Sequence, residues 1–301
     1  MSKQFLRKEN AMGWDEEKSK ERVKDNDVPP KDIEVIEPEK LPNLEALKTN
    51  QMAMVETATL FVDICHFTER TEEQQKKSIF RILNTFHQEM NAIAKEQEVP
   101  GFKVAIQGDR DHIVFCCAPK EGKKAVINSA VEAAISMLTS VEKVINPFFS
   151  DYDPIKIAIG IDYGTIAACK LGYRGEREPI LIGNSTNNAS KLEDAAGEQE
   201  IIISETVYEV IENEKIKKAF NPKYVNGKIC YSLQNKTWDD FEEKQKGYAL
   251  ADKTAIAAAL DQGLSVGRND EGQYVVGVKN RESFQGKRVY TPKPSRAWAS
   301  E

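Results

Sequence analysis

Residues 60–71 read LFVDICHFTERT, and this stretch decides the fold. An apolar run typical of a buried β-strand reaches Asp63 near its end and then passes into a short polar segment. A lone buried carboxylate costs several kcal/mol unless it is paired, hydrogen-bonded or bound to a metal. The sequence therefore predicts that Asp63 has a partner elsewhere in the chain.

The bulk composition excludes several classes of protein. The 301 residues are 40% hydrophobic and 30% charged, which suits one large domain or two. A net charge of −6 argues against nucleic acid as a partner, and no apolar run approaches the roughly 18 residues of a membrane span. The polar N-terminus has no signal-peptide core, so we expect a cytoplasmic protein without a membrane partner. Five scattered cysteines without a CxxC pair, and only three histidines, favour neither a disulfide framework nor a zinc site.

Three segments are expected along the chain. Residues 1–54 read as a polar N-terminal arm followed by a lead-in helix, which would span Leu41 to about Thr57. Residues 55–235 form the main domain. Residues 236–301 are expected to form a small C-terminal module with an alanine-rich helix over 253–260 and hairpin-like pieces after it; a regulatory role and a stabilising cap are both open for this module.

The main domain alternates strand and helix patterns. Strands are expected at 58–64, 102–106, 112–117, 155–161, 179–182 and 201–204, with a closing hairpin over 223–233 around Asn226-Gly227. Helices are expected from Thr71, with Gln74 in a capping box, to about Glu96, and then at 123–145, from 185, and at 205–211. The order β-α-ββ-α-β predicts a ferredoxin-like α+β layer, with helices on one face of a mostly antiparallel sheet.

Asp109 is the candidate partner of Asp63. It lies in the Gly108-Asp109 turn of the first hairpin, which neighbours the first strand in a split βαβ arrangement. Two carboxylates at one sheet edge repel each other unless a divalent cation joins them, and Mg²⁺ or Mn²⁺ suits such oxygen ligands. On the pair alone, a second interpretation stays open, in which Asp63 caps the following loop and Asp109 only begins a turn.

Five motifs in the same order resemble the catalytic domain of class III nucleotidyl cyclases, over about residues 55–235. They are FVDICHFTE at 61–69, IQGDRD at 106–111, IAIGIDYG at 157–164, GNSTNNASKLE at 183–193 and YVNGKICYSL at 224–233. The resemblance implies a class III cyclase fold and a nucleoside triphosphate substrate. It also implies two Mg²⁺ or Mn²⁺ ions per site, held by Asp63, Asp109 and the carbonyl of Ile64.

The same resemblance implies roles for residues outside the metal pair. The amides of Phe67 and Thr68 would cradle phosphates, and Asn187 would orient the ribose. Lys191 stands where the family usually has a transition-state arginine, although lysine cannot form a bidentate fork. Lys228, in the last hairpin, is a weaker phosphate candidate, and an exposed turn lysine is an equally good interpretation of it.

The family pattern breaks at the two positions that read a purine base. Adenylyl-type cyclases have a lysine four residues before the second metal aspartate and an aspartate seven residues before the ribose asparagine; here these positions are Ala105 and Ile180. This combination resembles the pyrimidine (uridylate or cytidylate) cyclases of bacterial Pycsar antiphage systems. It implies UTP, then CTP, as substrate, and a cyclic product that a separate effector protein reads. A purine cyclase with substituted base contacts and a non-catalytic nucleotide-binding module are the alternatives.

The resemblance also implies an assembly. In the family, the metal aspartates of one subunit meet the asparagine and the cation of the other subunit across a head-to-tail dimer. This chain carries both sets, so we expect a symmetric homodimer with two sites at its interface.

Overall fold

A computed structural model of the chain describes residues 15–38, 40–67, 76–116, 122–172 and 176–241, and the backbone of three further strands at 248–250, 265–268 and 274–277. The chain divides into two compact units between Phe241 and Glu242. No helix within the described ranges is long and apolar enough to cross a membrane.

A mixed β-sheet forms the centre of the first unit. Its described strands are β1 Glu34–Ile36, β2 Gln51–Ile64, β3 Gly101–Gln107, β4 Arg110–Phe115, β5 Ile157–Leu171, β6 Glu178–Ile182, β7 Glu200–Ser204, β8 Asn221–Val225 and β9 Lys228–Gln234. The order is β3-β4-β2-β5-β7-β9-β8, with β1 beside β2 and β6 beside β5. Neighbours are antiparallel except β1–β2 and β5–β7, which are parallel. The predicted α+β class is thus confirmed.

Helices pack on both faces of this sheet. The described helices of four or more residues are α1 Glu16–Asn26, α2 Lys76–Lys95, α3 Gly122–Ser140, α4 Asn184–Asp194, α5 Glu205–Val210, α6 Glu214–Ala219 and α7 Trp238–Phe241. A three-residue helical turn is formed by Asn146–Phe148, and α1 buries none of its residues. After Ser140 the predicted single helix to residue 145 changes to a π-helical turn, Val141–Ile145. Thr71 and Gln74, the predicted cap of α2, lie outside the described residues.

The main core lies between α2, α3 and one face of the sheet. Leu60, Val62 and Ile64 of β2 point into it with Phe86 of α2, and all are buried. Alternate residues point to the opposite face. There α4 covers β5, because a Cβ on Gly160 would meet its backbone. The prediction that helices occupy one face only is therefore wrong for α4.

The predicted lead-in helix over 41–57 is also wrong. Leu44–Ala46 forms a single 3₁₀ turn, and β2 begins at Gln51. The cause is pairing with β5, which runs without a break from Met52 opposite Cys169 to Ile64 opposite Ile157. Strand pairing on this scale supplies backbone partners that an isolated helical turn could not match.

A further difference concerns the length of β5. This strand extends to Leu171, well past the predicted end at residue 161, because both β2 and β6 pair with its second half.

The second unit has its own small sheet. In it, β10 Tyr248–Leu250, β12 Tyr274–Gly277 and β11 Ser265–Arg268 form an antiparallel sheet in that order. The predicted alanine-rich helix over 253–260 lies outside the described residues.

Candidate active site

Asp63 and Asp109 meet at one end of the sheet. Asp63 is the penultimate residue of β2, beside Ala158 of β5. Asp109 occupies the turn between β3 and β4, where Gly108 adopts a positive φ of 70° that favours glycine. Because β4 pairs directly with β2, the turn brings the carboxyl of Asp109 into hydrogen-bonding contact with that of Asp63.

The electrostatics of the pair suit a bound cation. Burial, and then the neighbouring Asp109 carboxylate, raise the pKa of Asp63 to about 7. Burial also raises the pKa of Asp109. The Oδ1 atom of Asp63 is buried without a hydrogen-bond partner in the described part of the structure. Two crowded carboxylates and an orphaned oxygen fit a hard divalent ion, which would satisfy the oxygen and remove the repulsion.

The ligand set of this pair is small. Among residues 15–241 as far as they are described, no group of three or more His, Cys, Asp or Glu side chains could hold a metal. Magnesium is usually bound through one or two carboxylates together with substrate phosphates and water, so a pair is sufficient for it. Ile64, whose carbonyl is the implied additional ligand, is buried at the end of β2.

His87 of α2 holds the Asp109 turn from the side of the main core. Its Nδ1 lies 2.9 Å from Oδ2 of Asp111, and its Nε2 lies 3.1 Å from the carbonyl oxygen of Gly108. Burial, the largest single effect, lowers the pKa of His87, but the hydrogen bond to the fully buried Asp111, the charge of that carboxylate and the contact with Gly108 together raise it above its ordinary value. The turn is therefore fixed by a charge-assisted contact.

Arg110 holds the same turn from the other face of the sheet. Its guanidinium lies 4.4 Å from the centre of the Phe61 ring and makes a 2.5 Å ion pair with Glu193 of α4. His112 stacks on Phe61 at 4.3 Å, and burial followed by the Arg110 charge lowers the pKa of this histidine to about 4. His112 is consequently neutral at neutral pH.

Asn187 and Lys191 share the outward face of α4. Both are exposed and stand one helical turn apart, so they can act together on one ligand. The inward face of the helix holds the buried Ala189 and Leu192 against the sheet. The close approach at Gly160, where an added Cβ would lie 2.2 Å from the Ala189 carbonyl oxygen, fixes which face points outward.

The two positions at which the family resemblance implies contact with the base lie on separate strands and carry no polar side-chain atom. Ala105 is half-buried on β3, next to a bulge that follows Lys103. Ile180 is 41% exposed on β6, opposite Cys169 of β5. The hydrogen-bond donors and acceptors of a purine base would therefore find no partner in either side chain.

Two of the three remaining candidates for phosphate binding, Phe67 and Lys228, lie within the described residues. Phe67 packs its half-buried ring against the main core just after β2. Thr68 lies outside the described residues. Lys228 is exposed at the start of β9, opposite Val225 in the closing hairpin.

Sequence reasoning missed the residues that support the site. Nothing in the sequence around Arg110 and Asp111 marks them as more than neighbours of the Gly108-Asp109 turn, and His87 lies among the apolar positions of α2. Their contacts join segments far apart in the chain, which no local pattern encodes. Gly160 did offer a signal, since a glycine inside a strand often marks the close approach of another backbone.

A mixed sheet with a carboxylate pair beside its central strand and a polar helix on its second face defines a domain of the class III cyclase type. The model of the adenylate and guanylate cyclase catalytic domain matches residues 50–251, more than half of the chain. The chain therefore belongs to the adenylate and guanylate cyclase catalytic domain family.

Individual relatives are moderately similar. A uridylate cyclase from Burkholderia cepacia is 27% identical over 215 residues, covering 69% of this chain and 86% of that protein. A uridylate cyclase from Rhodovulum sp. (strain MB263) is 26% identical over 170 residues, or 54% of this chain and 68% of that protein. The solved adenylyl cyclase CyaB from P. aeruginosa superposes with a TM-score of 0.52 at 25% identity, covering 60% of this chain and 93% of that chain.

Proposed function

We propose that this protein is a nucleotide cyclase that converts a pyrimidine nucleoside triphosphate, UTP first and CTP second, into the 3′,5′-cyclic monophosphate and pyrophosphate. One observation carries the proposal: the Asp63–Asp109 pair is complete, whereas Ala105 and Ile180 offer no polar atom to a purine. The similarity to two uridylate cyclases supports the same choice of base. The cyclic product would then act as a second messenger, read by a separate effector in antiphage defence.

The metal half of the site would consist of Asp63, Asp109 and the Ile64 carbonyl. These oxygens would hold two Mg²⁺ or Mn²⁺ ions, which when bound supply activation of the attacking 3′-hydroxyl and neutralisation of phosphate charge. Burial raises the pKa of both carboxyls, and the Asp109 charge adds to the shift at Asp63. A cation would stabilise the ionised form of both groups, which supports this role.

The other half of the site would consist of Asn187 and Lys191. The Asn187 amide can accept from and donate to ribose hydroxyls, which orients the 3′-oxygen toward the α-phosphorus. Lys191 places a compact positive charge where negative charge grows on the phosphate oxygens as pyrophosphate leaves. Lys228, Phe67 and Thr68 would add phosphate contacts.

The base pocket would select by shape and by the absence of purine contacts. Ile180 is branched and apolar, so it narrows the pocket toward a single ring. Replacing Ala105 by Lys and Ile180 by Asp restores the adenylyl-type pair. In this double variant, we expect the ratio of ATP to UTP turnover to rise at least tenfold, since buried polar contacts discriminate strongly between bases. An unchanged ratio would mean that these positions do not read the base.

The two halves would come from different subunits of a homodimer. Within one chain, the side of α4 that faces Asp109 is occupied by Ser190 and Glu193, which bind Arg110. Asn187 and Lys191 lie on the exposed face of that helix. A second copy, approaching head to tail, would bring its own carboxylate pair to this face.

Mixing inactive variants tests the shared site. Asp63→Ala and Lys191→Ala should each be inactive, and after random subunit exchange their mixture should recover about one quarter of wild-type activity. Asp63→Ala mixed with Asp109→Ala is the matched control. Both changes damage the metal half, so no heterodimer contains an intact site. Two results would contradict a site shared between subunits: activity recovered in the control mixture, or no activity recovered in the first mixture although subunit exchange has been proven.

The substrate is tested by assaying each of the four nucleoside triphosphates separately with Mn²⁺. We expect UTP to give the highest turnover, with CTP next, and Asp63→Ala and Asp109→Ala to abolish it while leaving the fold intact. Higher turnover with ATP or GTP would identify a purine cyclase. Tight nucleotide binding without any cyclic product would identify a non-catalytic module.

A further inference from the structure

Arg110 joins two parts of the site that are separate in the sequence. It follows Asp109 directly in the chain, and its Nη2 atom donates to Oγ of Ser190 at 2.7 Å. The same nitrogen lies 2.5 Å from Oε2 of Glu193. Ser190 and Glu193 belong to α4, the helix that carries Asn187 and Lys191. One guanidinium therefore connects the metal half of the chain to its ribose half.

The contact is largely shielded from water. The Glu193 side chain is 5% exposed and that of Arg110 is 20% exposed. Burial raises the pKa of Glu193 to about 7, although the Arg110 charge acts in the opposite direction. Breaking a buried ion pair by removing one partner is strongly destabilising, because the other charge is left uncompensated. The bridge should therefore behave as a rigid connection.

The Arg110 guanidinium is largely shielded from the open site, since its Nε is buried and its Nη1 lies 3.9 Å from Oδ1 of Asp194. Phe61 covers the guanidinium at 4.4 Å, while Ser190 and Glu193 bind its Nη2 atom. A phosphate-binding arginine would instead present a free fork to the open site. Arg110 consequently acts through the groups it holds in place.

We infer that Arg110 is a positioning residue that fixes α4 relative to the Asp109 turn. This inference rests on the proposed function and deepens it. In a head-to-tail dimer, the Asp109 turn and the α4 helix of one chain serve different active sites. A single Arg110 would therefore support both sites of the dimer, the metal half of one and the ribose half of the other.

Hydrogen–deuterium exchange tests the connection without metal or substrate. Arg110→Gln should speed exchange of the α4 amides over residues 188–194 at least tenfold. Glu193→Gln should have the reciprocal effect on the amides of the β3–β4 turn. Arg81→Gln is the matched control, since Arg81 also lies over a ring, that of Phe149 at 5.5 Å, but on α2. Unchanged α4 exchange in a folded Arg110→Gln protein overturns the inference.

Heterodimers test whether one arginine serves two sites. Differently tagged Asp63→Ala and Lys191→Ala chains are co-purified, so that the single intact site takes its carboxylates from the second chain and its α4 from the first. Arg110→Lys is then added to either chain; it keeps the charge but cannot reach Ser190 and Glu193 in the same forked geometry. Activity is measured with Mn²⁺ and UTP, and with the other three triphosphates.

Arg110→Lys should lower kcat roughly tenfold or more, with a smaller change in KM, whichever chain of the heterodimer carries it. The reason is that a misplacement of about 1 Å can reduce turnover by up to a hundredfold. A loss from only one placement overturns the two-site role while leaving the proposed function intact. If the parent heterodimer itself is inactive with all four triphosphates, the shared site fails and the inference fails with it.

Discussion

Replacing Gly160 by alanine should separate α4 from the sheet without touching any residue of the candidate site. A Cβ at this position would lie 2.2 Å from the carbonyl oxygen of Ala189 and 2.3 Å from the amide nitrogen of Glu193. Both are backbone atoms, so no side-chain rotation can relieve the contact. The helix must move by about 1 Å, and Asn187 and Lys191 move with it.

The size of the effect follows from that displacement. Overpacking of this kind typically costs about 1–3 kcal/mol, which for a domain of this size lowers Tm by roughly 3–10 °C. A shift of about 1 Å in two groups that touch the substrate should lower kcat between tenfold and a hundredfold. Thermal unfolding and turnover with Mn²⁺ and UTP measure the two effects on one preparation.

Gly164 supplies the matched control four residues along the same strand. A Cβ there meets only the side chain of Ser185, whose Cβ lies at 3.4 Å and Oγ at 3.7 Å, both ordinary contact distances. Gly164→Ala should therefore be neutral, or stabilise by about 0.4–1 kcal/mol through the unfolded chain. If Gly160→Ala keeps wild-type turnover and stability, as the control does, the packing of α4 does not position the ribose half of the site.

Four further predictions concern the carboxylate pair, the Asp111 contact and the end of the first unit. Burial and the neighbouring carboxylate hold the pKa of Asp63 at about 7, so metal binding below that pH must displace a proton; Mn²⁺ affinity measured by calorimetry should rise about fivefold from pH 6 to 7 and about twofold more to pH 8 before it levels off, and equal affinity at pH 6 and 8 would contradict this. The same raised pKa means that, without metal, stability falls as the pH rises from about 4 to about 7, and Asp63→Asn should remove part of that fall. His87→Ala should lower the free energy of unfolding by about 3–5 kcal/mol, because it leaves the buried Asp111 carboxylate without its charged partner; a loss below about 1 kcal/mol in denaturant titration would show that the contact is unimportant. A chain that ends after Phe241 should keep the cyclase domain folded. A chain that ends after Asn235 also lacks α7, whose Trp238 donates a hydrogen bond to Ser136, and should have a lower Tm. Equal Tm values for the two fragments, or an insoluble fragment ending at Phe241, would contradict the proposed boundary.

The centre of the site could be read from local sequence. Asp63 ends an apolar run, Gly108-Asp109 is a turn dipeptide, and the segment around Asn187 has a helical pattern. Each of these signals spans a few residues, and the structure places each element where the pattern predicted it. The approach of the two aspartates then followed from the topology, since a hairpin beside the first strand must bring its turn to that strand's end.

What the sequence could not reveal depends on partners distant in the chain. Residues 51–57 form a strand because β5 pairs with them, and their own composition does not exclude a helix. The Arg110–Glu193 bridge joins positions 83 residues apart, and nothing near either residue marks the other. The same holds for the face on which α4 packs, since the covering of Gly160 is a tertiary contact that only the folded chain displays.

The most direct test of the central claim is a competition among the four nucleoside triphosphates. The full chain is incubated with Mn²⁺ and an equimolar mixture of ATP, GTP, CTP and UTP, and the cyclic mononucleotides are separated and quantified by mass spectrometry, with Asp63→Ala as the blank. The account predicts that cyclic UMP is the main product, with cyclic CMP second and purine products at least tenfold lower. A predominance of cyclic AMP or cyclic GMP that disappears in the blank would contradict it.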